Sequence, residues 1–408
     1  MRGAFLKSRT TAPAHAIIVN LVPNNEPALA TFARQMIEIL ANTSSLATRL
    51  RERIKREGPL TFCDWMKAAL YDSNDGYYYR TDRSRWGREG DYRTSAERSP
   101  LFAATFARYF AALHVQLGCP PAWTILEAGA GEGRFTEGVL QTLQKSFPEV
   151  FAATSCVVDE VSPVSHARAQ ERLRPFADRV QFGSINEVEI NPGVVFSNEL
   201  LDAFPVHPIV LHGGECREFY VTVDENENFQ WLLAAPSPAL SPRLEGYFKD
   251  VGSRPAEGQV IEVSLEIEDW LRRVAARIAR GYVVTVDYGT AAADLYSPLA
   301  SSKGTLRGFQ RHEFVDDLLA QPGEHDLTTT VNWSFVKAVG ASAGLRFVEL
   351  SRQDQFLLAH GFLEQLDAES RQAKDDGERL QLSSGAREMI LPDGMAASFQ
   401  VLVQKKSG

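Results

Sequence analysis

The chain has 408 residues, of which 44% are hydrophobic and 23% are charged, and its formal net charge at pH 7 is −9. This length suffices for one large domain with insertions or for two ordinary domains, and the composition is that of a globular enzyme. No apolar run has the length of a bilayer span. The negative charge disfavours nucleic acid as a partner, because that affinity depends largely on neutralised phosphates.

The cysteines and histidines give no sign of a metal site. Cys63, Cys119, Cys156 and Cys216 are scattered without a C-x-x-C pair, and the eight histidines lack ligand spacing. The sequence therefore predicts no metal and reduced thiols, as expected in a bacterial cytoplasm.

The N-terminal 43 residues are predicted to form a poorly ordered extension, because their sequence is turn-rich and weakly periodic. The first 25 residues carry three basic residues and no acid before Glu26, which weakly resembles a transit peptide. We favour a bacterial cytoplasmic protein with a loose start, and the mitochondrial matrix is the alternative location.

Residues 44–115 are predicted to form a helical lead-in. Apolar residues such as Phe62, Trp65, Met66 and Leu70 recur there at spacings of three and four, the period of an amphipathic helix.

Residues 116–405 alternate short apolar runs with amphipathic segments, which predicts an α/β domain with a mostly parallel sheet. Long segments at 207–260 and 290–330 are interpreted as substrate-facing insertions, the first containing a hairpin. Ligands of such sheets bind beyond the carboxyl ends of the strands. The predicted strands of the sheet are Trp123–Leu126, Cys156–Val158, Val180–Phe182, Val194–Phe196, Tyr282–Val286, Arg346–Leu350 and Ser398–Val403.

A glycine-rich turn follows the first predicted strand. Gly129, Gly131 and Gly133 lie between that strand and a helix predicted to begin near Glu132. By itself the G-x-G-x-G pattern also fits a simple tight turn. The nicotinamide fingerprint G-x-G-x-x-G would need a glycine at Arg134, so dinucleotide binding is disfavoured.

The surrounding residues instead favour S-adenosylmethionine. The amino-acid half of the cofactor would lie against the glycine turn, which includes Ala130. Larger side chains in this turn would occupy the space of the cofactor. Glu127 would face the ammonium group of the cofactor. The helix N-terminus would favour its carboxylate. After the next strand, Glu160 with the adjoining Val161 would meet the ribose, since a carboxylate can accept hydrogen bonds from both hydroxyls.

The turns after the third and fourth strands complete the predicted site. Ile185 would supply an apolar face for adenine and Asn186 a hydrogen bond, although a capping role explains Asn186 equally well. After the fourth strand, Asn198 would face the cofactor or the acceptor. Glu199 and Asp202 follow. Charged residues are rarely buried, so two carboxylates directly after a buried strand indicate a functional site beside the cofactor. The alternative is that they are acidic residues at the N-terminus of a helix, where such residues are common.

At these motifs the sequence resembles the MidA-like methyltransferases, a family that includes a mitochondrial complex I assembly factor and many bacterial homologues. The resemblance covers roughly residues 58–403. The matching motifs are G-P-L-T-F-C-D-W-M-K-A-A-L-Y at Gly58, D-G-Y-Y around Gly76, G-D-Y-R-T-S at Gly90, E-A-G-A-G-E-G at Glu127, E-V-S-P at Glu160, S-N-E-L-L-D-A-F-P-V at Ser197, V-D-Y-G at Val286, D-L-T-T-T-V-N-W at Asp326 and the final F-Q-V-L.

The resemblance implies a seven-stranded Rossmann-like methyltransferase sheet and, for the mitochondrial member, dimethylation of an arginine on a complex I subunit. For a guanidinium acceptor, Glu199 and Asp202 would orient the group through bidentate hydrogen bonds, with Asn198 as the third catalytic candidate. Secondary candidates are Asp287, Tyr288, Arg307 and His312, and a group that could close the pocket from the N-terminal side is Tyr77, Tyr78, Asp91 and Thr94.

Two other functions share these features. A methyltransferase acting on a small molecule would keep the cofactor site and change only the acceptor. An assembly factor that binds the cofactor without turnover would keep the site and transfer nothing. The acidic loop at Glu199 favours a cationic acceptor, and the oligomeric state is not predicted.

Overall fold

The computed structural model describes residues 45–81, 99–297, 300–310, 313–391 and 398–408. The predicted extension at 1–43 and the candidates Asp91, Thr94 and His312 lie outside these described residues. Within the described ranges, no helix is both long enough and apolar enough to cross a membrane.

The strands are numbered in chain order. The first eight are β1 Leu60–Thr61, β2 Trp123–Ala128, β3 Thr154–Asp159, β4 Val180–Phe182, β5 Gly193–Asn198, β6 His207–His212, β7 Glu215–Val223 and β8 Phe229–Ala234. The others are β9 Val260–Val263, β10 Gly281–Thr290, β11 Arg307–Gln310, β12 Glu313–Val315, β13 Asp326–Thr328, β14 Val331–Asn332, β15 Arg346–Arg352 and β16 Phe399–Lys406.

The α-helices are numbered in the same way. They are α1 Leu46–Glu57, α2 Phe62–Tyr71, α3 Pro100–Gln116, α4 Arg134–Ser146, α5 Pro148–Ala153, α6 Pro163–Arg172 and α7 Leu244–Val251, followed by α8 Leu265–Arg277, α9 Ala292–Leu295, α10 Trp333–Ser342, α11 Gln353–Ala359, α12 Phe362–Gln372 and α13 Asp376–Ile390. Short 3₁₀ turns lie at Arg174–Phe176, Leu201–Ala203 and Ser241–Arg243.

The main sheet has the strand order β15-β16-β10-β5-β2-β3-β4, and β14 pairs with the end of β10. The strands from β10 to β4 are parallel, whereas β16 is antiparallel to both of its neighbours. This arrangement confirms the predicted α/β fold with a seven-stranded sheet. The carboxyl ends of β2, β3 and β5 therefore meet at one edge, where the sequence predicted the site.

Helices cover both faces of the sheet because its strands are apolar on both sides. On one face, residues of α3 and α4 pack over Phe196, whose ring stacks on that of Phe135 at 4.0 Å between centroids. On the other face, α7, α8 and α10 pack over Leu126, Val195 and Val283. The strand β4 coincides with its predicted range, and each of the other six predicted strands ends one to four residues later than predicted, β2 at Ala128 rather than Leu126.

The lead-in packs on the inserted segments through its own apolar cluster. In α1, Leu46, Leu50 and Ile54 repeat every four residues and form one buried stripe. This cluster also contains Val221 of β7 and Leu327 of β13. The short strand β1 pairs with β7. The lead-in is thereby joined to the antiparallel sheet of the first insertion, which contains the predicted hairpin as β7 and β8.

Candidate functional site

A cavity of about 300 Å³ lies at the edge where β2, β3 and β5 end. Its lining combines the predicted cofactor loops with residues of α2, α8 and the segment after the 3₁₀ turn. No described residue of 207–260 or 290–330 lines this cavity. The lining residues are Lys67, Tyr71, Tyr78, Ala128, Gly129, Asp159, Glu160, Val161, Ser162, Ser165, Ser184, Ile185, Asn186, Glu199, Leu200, Ala203, Phe204, Pro205, Glu266, Trp270 and Arg273.

The glycine turn is left-handed at all three glycines. The φ angles are 69° at Gly129, 53° at Gly131 and 74° at Gly133, values that residues with a Cβ rarely adopt. A Cβ on Gly129 would lie 3.0 Å from Cδ1 of Leu200. The helix α4 begins at Arg134 rather than near Glu132, because the left-handed Gly133 occupies the position before its first turn.

The turn is fixed to the neighbouring strand by backbone hydrogen bonds. The N–H of Gly129 donates to the carbonyl oxygen of Asp159 at 2.8 Å, and the N–H of Gly133 donates to that of Ala130 at 2.9 Å. Ala130 is buried against Val158. Ala130 is therefore packed against the neighbouring strand and is outside the cavity lining, whereas Gly129 lines the cavity.

Glu160 lies in the cavity wall and bridges two loops. Its Oε2 accepts a hydrogen bond of 2.7 Å from the N–H of Gly131, and its Oε1 accepts one of 2.6 Å from the N–H of Ser162. The next residue, Val161, also lines the cavity and is 56% exposed. The predicted ribose contacts are therefore brought beside the glycine turn.

The predicted adenine contacts lie further along the same wall. The N–H of Ile185 donates to Oδ2 of Asp159 at 2.8 Å, and burial raises the pKa of that carboxyl. The side chain of Asn186 donates to Oγ of Ser184 at 3.1 Å. Ile185 is 3% exposed and lines the cavity, so an apolar surface and an amide adjoin there.

Glu127 is buried and lies outside the cavity lining. Both the N–H and the hydroxyl of Thr136 donate to its Oε2. Burial raises the pKa of Glu127 to about 8, and the negative charge of Glu160 adds to this effect. The carboxyl therefore holds a proton near neutral pH unless a cation lies beside it.

Asn198 shares a face of the sheet with Glu127. Parallel pairing sets Glu127 beside Phe196, and Asn198 follows two residues later on the same side. Its Nδ2 donates to Oε1 of Glu199 at 2.9 Å, while its Oδ1 is buried and has no hydrogen-bond partner among the described residues. A buried acceptor of this kind calls for a donor. An ammonium group is such a donor, so these residues fit the amino-acid half of S-adenosylmethionine.

Glu199 is held in an unusual backbone conformation where it lines the cavity. Its φ is 53°, and its N–H donates to the carbonyl oxygen of Val286 at 2.9 Å. A residue with a Cβ rarely adopts a positive φ, and the neighbouring structure must impose it.

Asp202 does not share the cavity with Glu199, contrary to the predicted bidentate pair. The 3₁₀ turn rotates it away, so that it is 7% exposed and its Oδ2 accepts a hydrogen bond of 2.7 Å from Oγ1 of Thr328. Burial raises the pKa of Asp202. The structure therefore leaves Glu199 as the carboxylate of this loop that faces the cavity.

The secondary candidates from β10 and β11 lie behind this loop. The carboxylate of Asp287 is fully buried, and burial together with the charges of Asp202 and Glu199 raises its pKa well above the usual range. The guanidinium of Arg307 stacks over the ring of Tyr288, 4.6 Å from its centroid. Asp287, Tyr288 and Arg307 are outside the cavity lining.

Most residues of the outer cavity wall were not predicted from the sequence. The ring of Tyr71 stacks with that of Tyr78 at 5.3 Å, and both line the cavity, whereas Tyr77 is buried in the lead-in cluster. Trp270 and Arg273 of α8 also line the cavity, and Arg273 is paired with Glu266 at 3.0 Å. Helical periodicity identified α2 as amphipathic but could not indicate that one edge of it borders a cavity. No group of three or more metal-ligating side chains occurs in the described part of the chain.

The parallel sheet with its glycine turn and acidic second loop defines the protein as an S-adenosylmethionine-dependent methyltransferase. Residues 105–351 match the model of a family described as S-adenosyl-L-methionine-dependent methyltransferase. The chain belongs to this family, which confirms the MidA-like resemblance and the cofactor predicted from the sequence.

Similar proteins agree with this assignment. A crystal structure of a Burkholderia thailandensis protein bound to S-adenosyl-homocysteine matches with a TM-score of 0.78 and 27% identity, covering 91% of this chain and 95% of that one. The protein named "Protein arginine methyltransferase NDUFAF7 homolog, mitochondrial" from Drosophila melanogaster is 27% identical, and the match covers 74% of this chain and 71% of that protein. The protein named "Protein arginine methyltransferase NDUFAF7, mitochondrial" from Mus musculus is 26% identical, and the match covers 86% of this chain and 82% of that protein.

Proposed function

We propose that this enzyme methylates an arginine side chain of a protein. The observation that carries the proposal is the placement of Glu199, a carboxylate that lines the cavity beside the cofactor loops in a left-handed conformation. A carboxylate is the natural partner of a guanidinium, because the two planar groups match in geometry and charge.

S-adenosylmethionine supplies the methyl group when it is bound. We assign its ribose to Glu160 and Val161, and its adenine to Ile185 and Asn186. The left-handed glycines provide backbone close to its amino-acid half. Glu127 and Oδ1 of Asn198 would then face its ammonium group, which supplies the donor that this buried acceptor lacks among the described residues.

The acceptor would enter between Glu199 and the tyrosine pair. Methyl transfer needs a nucleophile held on the correct axis, and no covalent bond to the enzyme is required. Glu199 would orient the guanidinium and hold its positive charge. The stacked rings of Tyr71 and Tyr78 would supply aromatic faces, which attract cations. Asp202 would act from behind, as an anchor of the loop.

The relatives named as protein arginine methyltransferases support this acceptor class. Through the family resemblance, a subunit of respiratory complex I is the candidate partner. A bacterial cytoplasmic location remains our proposal, consistent with four free cysteines. The relatives named above are mitochondrial, which fits the alternative location in the mitochondrial matrix.

A labelling experiment tests the acceptor class. The full chain is incubated with methyl-labelled S-adenosylmethionine and a lysate of cells that lack it, and labelled proteins are digested and analysed by mass spectrometry. We expect methyl mass on arginine. Label confined to small molecules would support a small-molecule methyltransferase, and cofactor binding without any label would support an assembly factor.

The residue-level test is Glu199→Gln, which keeps the shape of the side chain and removes its charge. Losing a hydrogen bond to a charged group costs about 1.5–3 kcal/mol, so we expect methylation to fall roughly 10- to 100-fold. Cofactor affinity, measured by calorimetry, should change much less. The control is Glu189→Gln, which removes an exposed carboxylate paired with Arg277 at 2.9 Å. A parallel loss of cofactor binding in Glu199→Gln would assign Glu199 to the cofactor and contradict the proposal.

A further inference from the structure

We infer that Asp287 is a positioning residue, which holds the loop after β5 so that Glu199 faces the acceptor. The inference rests on the proposed function, because Glu199 is the group through which Asp287 would act. Asp287 itself lies outside the cavity lining.

The contacts of Asp287 are concentrated on this loop. Its Oδ2 accepts hydrogen bonds from three consecutive backbone N–H groups, those of Leu200 at 3.2 Å, Leu201 at 2.9 Å and Asp202 at 3.3 Å. The 3₁₀ turn begins at Leu201, so these N–H groups have no partner of their own within the turn. One side chain thus satisfies the start of the turn that follows Glu199 directly.

The contacts of Asp287 require two oxygens that accept hydrogen bonds. The other oxygen, Oδ1, accepts a hydrogen bond of 2.9 Å from the N–H of Tyr288. All four contacts to Asp287 are therefore donated to it, and it is buried from solvent. An asparagine would place its own NH₂ group against at least one of these donors. An asparagine has nearly the same shape as Asp287 but could not preserve all four hydrogen bonds.

The loop is also held at its far end. The N–H of Thr329 donates to the carbonyl oxygen of Asp202 at 3.0 Å, and the hydroxyl of Tyr71 donates to that of Ala203 at 3.0 Å. Glu199 thus lies between the bond to Val286 and the contacts to Asp287. A left-handed non-glycine residue persists only where its surroundings determine it, and Asp287 holds the three residues that follow it.

The test compares Asp287→Asn, Glu199→Gln and the double variant, with Asp294→Asn as a control. Asp294 is exposed and contacts Thr290 at 3.2 Å rather than the loop. For each protein, kcat and KM are measured with methyl-labelled S-adenosylmethionine and the lysate acceptors, and cofactor Kd is measured by calorimetry. Thermal melting shows whether each variant is folded.

We expect Asp287→Asn to lower kcat at least about 10-fold while cofactor Kd changes less than about 3-fold, because the loop it holds carries the carboxylate assigned to the acceptor. In the Glu199→Gln background, the same change should lower kcat by less than about 2-fold, since residues that act through one another are not additive. Asp294→Asn should behave as wild type.

Two results would overturn the inference in distinguishable ways. A full 10-fold loss in both backgrounds would show that Asp287 acts independently of Glu199, and would leave the role of Glu199 intact. No effect of Glu199→Gln on methylation would remove the acceptor assignment itself, and the positioning role with it. Should Asp287→Asn unfold, Asp287→Glu retains the carboxyl group and shifts its oxygens, and the same cycle is measured with it.

Discussion

One oxygen of the Glu160 carboxylate accepts a hydrogen bond of 2.7 Å from the backbone N–H of Gly131. The acid that follows β3 therefore fixes the glycine turn that follows β2, in addition to lining the cavity. The two halves of the candidate cofactor site form one unit, and a change at either residue should affect the other.

We expect Gly131→Val to abolish detectable cofactor binding while the protein remains folded. A branched side chain opposes the φ of 53° and would project where the backbone must approach the ligand. Calorimetry with S-adenosylmethionine measures the affinity, and circular dichroism reports folding. The matched control is Gly258→Val, whose φ is 77° and which has open space around it far along the chain. Wild-type affinity in Gly131→Val would refute the site.

We expect Glu160→Ala to weaken cofactor binding by roughly 1.5–3 kcal/mol, the scale of hydrogen bonds that involve a charged group. Part of this loss comes from the ribose and part from the N–H of Gly131, which would lose its acceptor. Comparing adenosine with S-adenosylmethionine as ligands in calorimetry separates the two. An unchanged dissociation constant would move the ribose role to Asp159.

We expect the affinity for the cofactor to rise with pH between about 7 and 9, because the raised pKa of Glu127, about 8, leaves the carboxyl protonated below that range. Binding of an ammonium group favours the ionised form, so a proton is released. Glu160 opposes this ionisation, and the two hydrogen bonds from Thr136 favour it. Calorimetry in two buffers of different ionisation enthalpy counts the protons.

Glu127→Gln is the control for this pH dependence, which it should remove together with some affinity. The same substitution should stabilise the free protein above pH 8. The folded state keeps a proton that the unfolded chain loses above about pH 4.5, so stability falls as pH rises from there to about 8, by an amount on the order of a few kcal/mol. Equal pH profiles of cofactor affinity for wild type and variant would contradict the role of Glu127.

Local sequence patterns were sufficient to predict the sheet and to place loops at the carboxyl ends of its strands, where the cavity lies. Each of the parallel strands is a short apolar run, and each loop carries its polar residues next to the strand that positions them. The glycines were predicted to be required by the turn, and their positive φ angles agree with this prediction.

Side-chain directions in the loop after β5 could not be predicted in this way. Glu199 and Asp202 were predicted to orient one guanidinium together, yet a left-handed residue followed by a 3₁₀ turn separates their side chains. The outer wall was missed for a different reason. Tyr71 and Trp270 line the same cavity only because of the tertiary fold, and no local sequence pattern predicts this.

The pairing of Leu60–Thr61 with Tyr220–Val221 has a consequence for biosynthesis. During translation the segment that becomes β1 and α2 leaves the ribosome early, but β7, the partner of β1, follows only after four strands of the main sheet have been made. Tyr71 can therefore take its place late, and contacts between distant parts of a chain form slowly. The nascent chain should acquire its glycine turn before it acquires a closed cavity, so cofactor capture belongs to the end of folding.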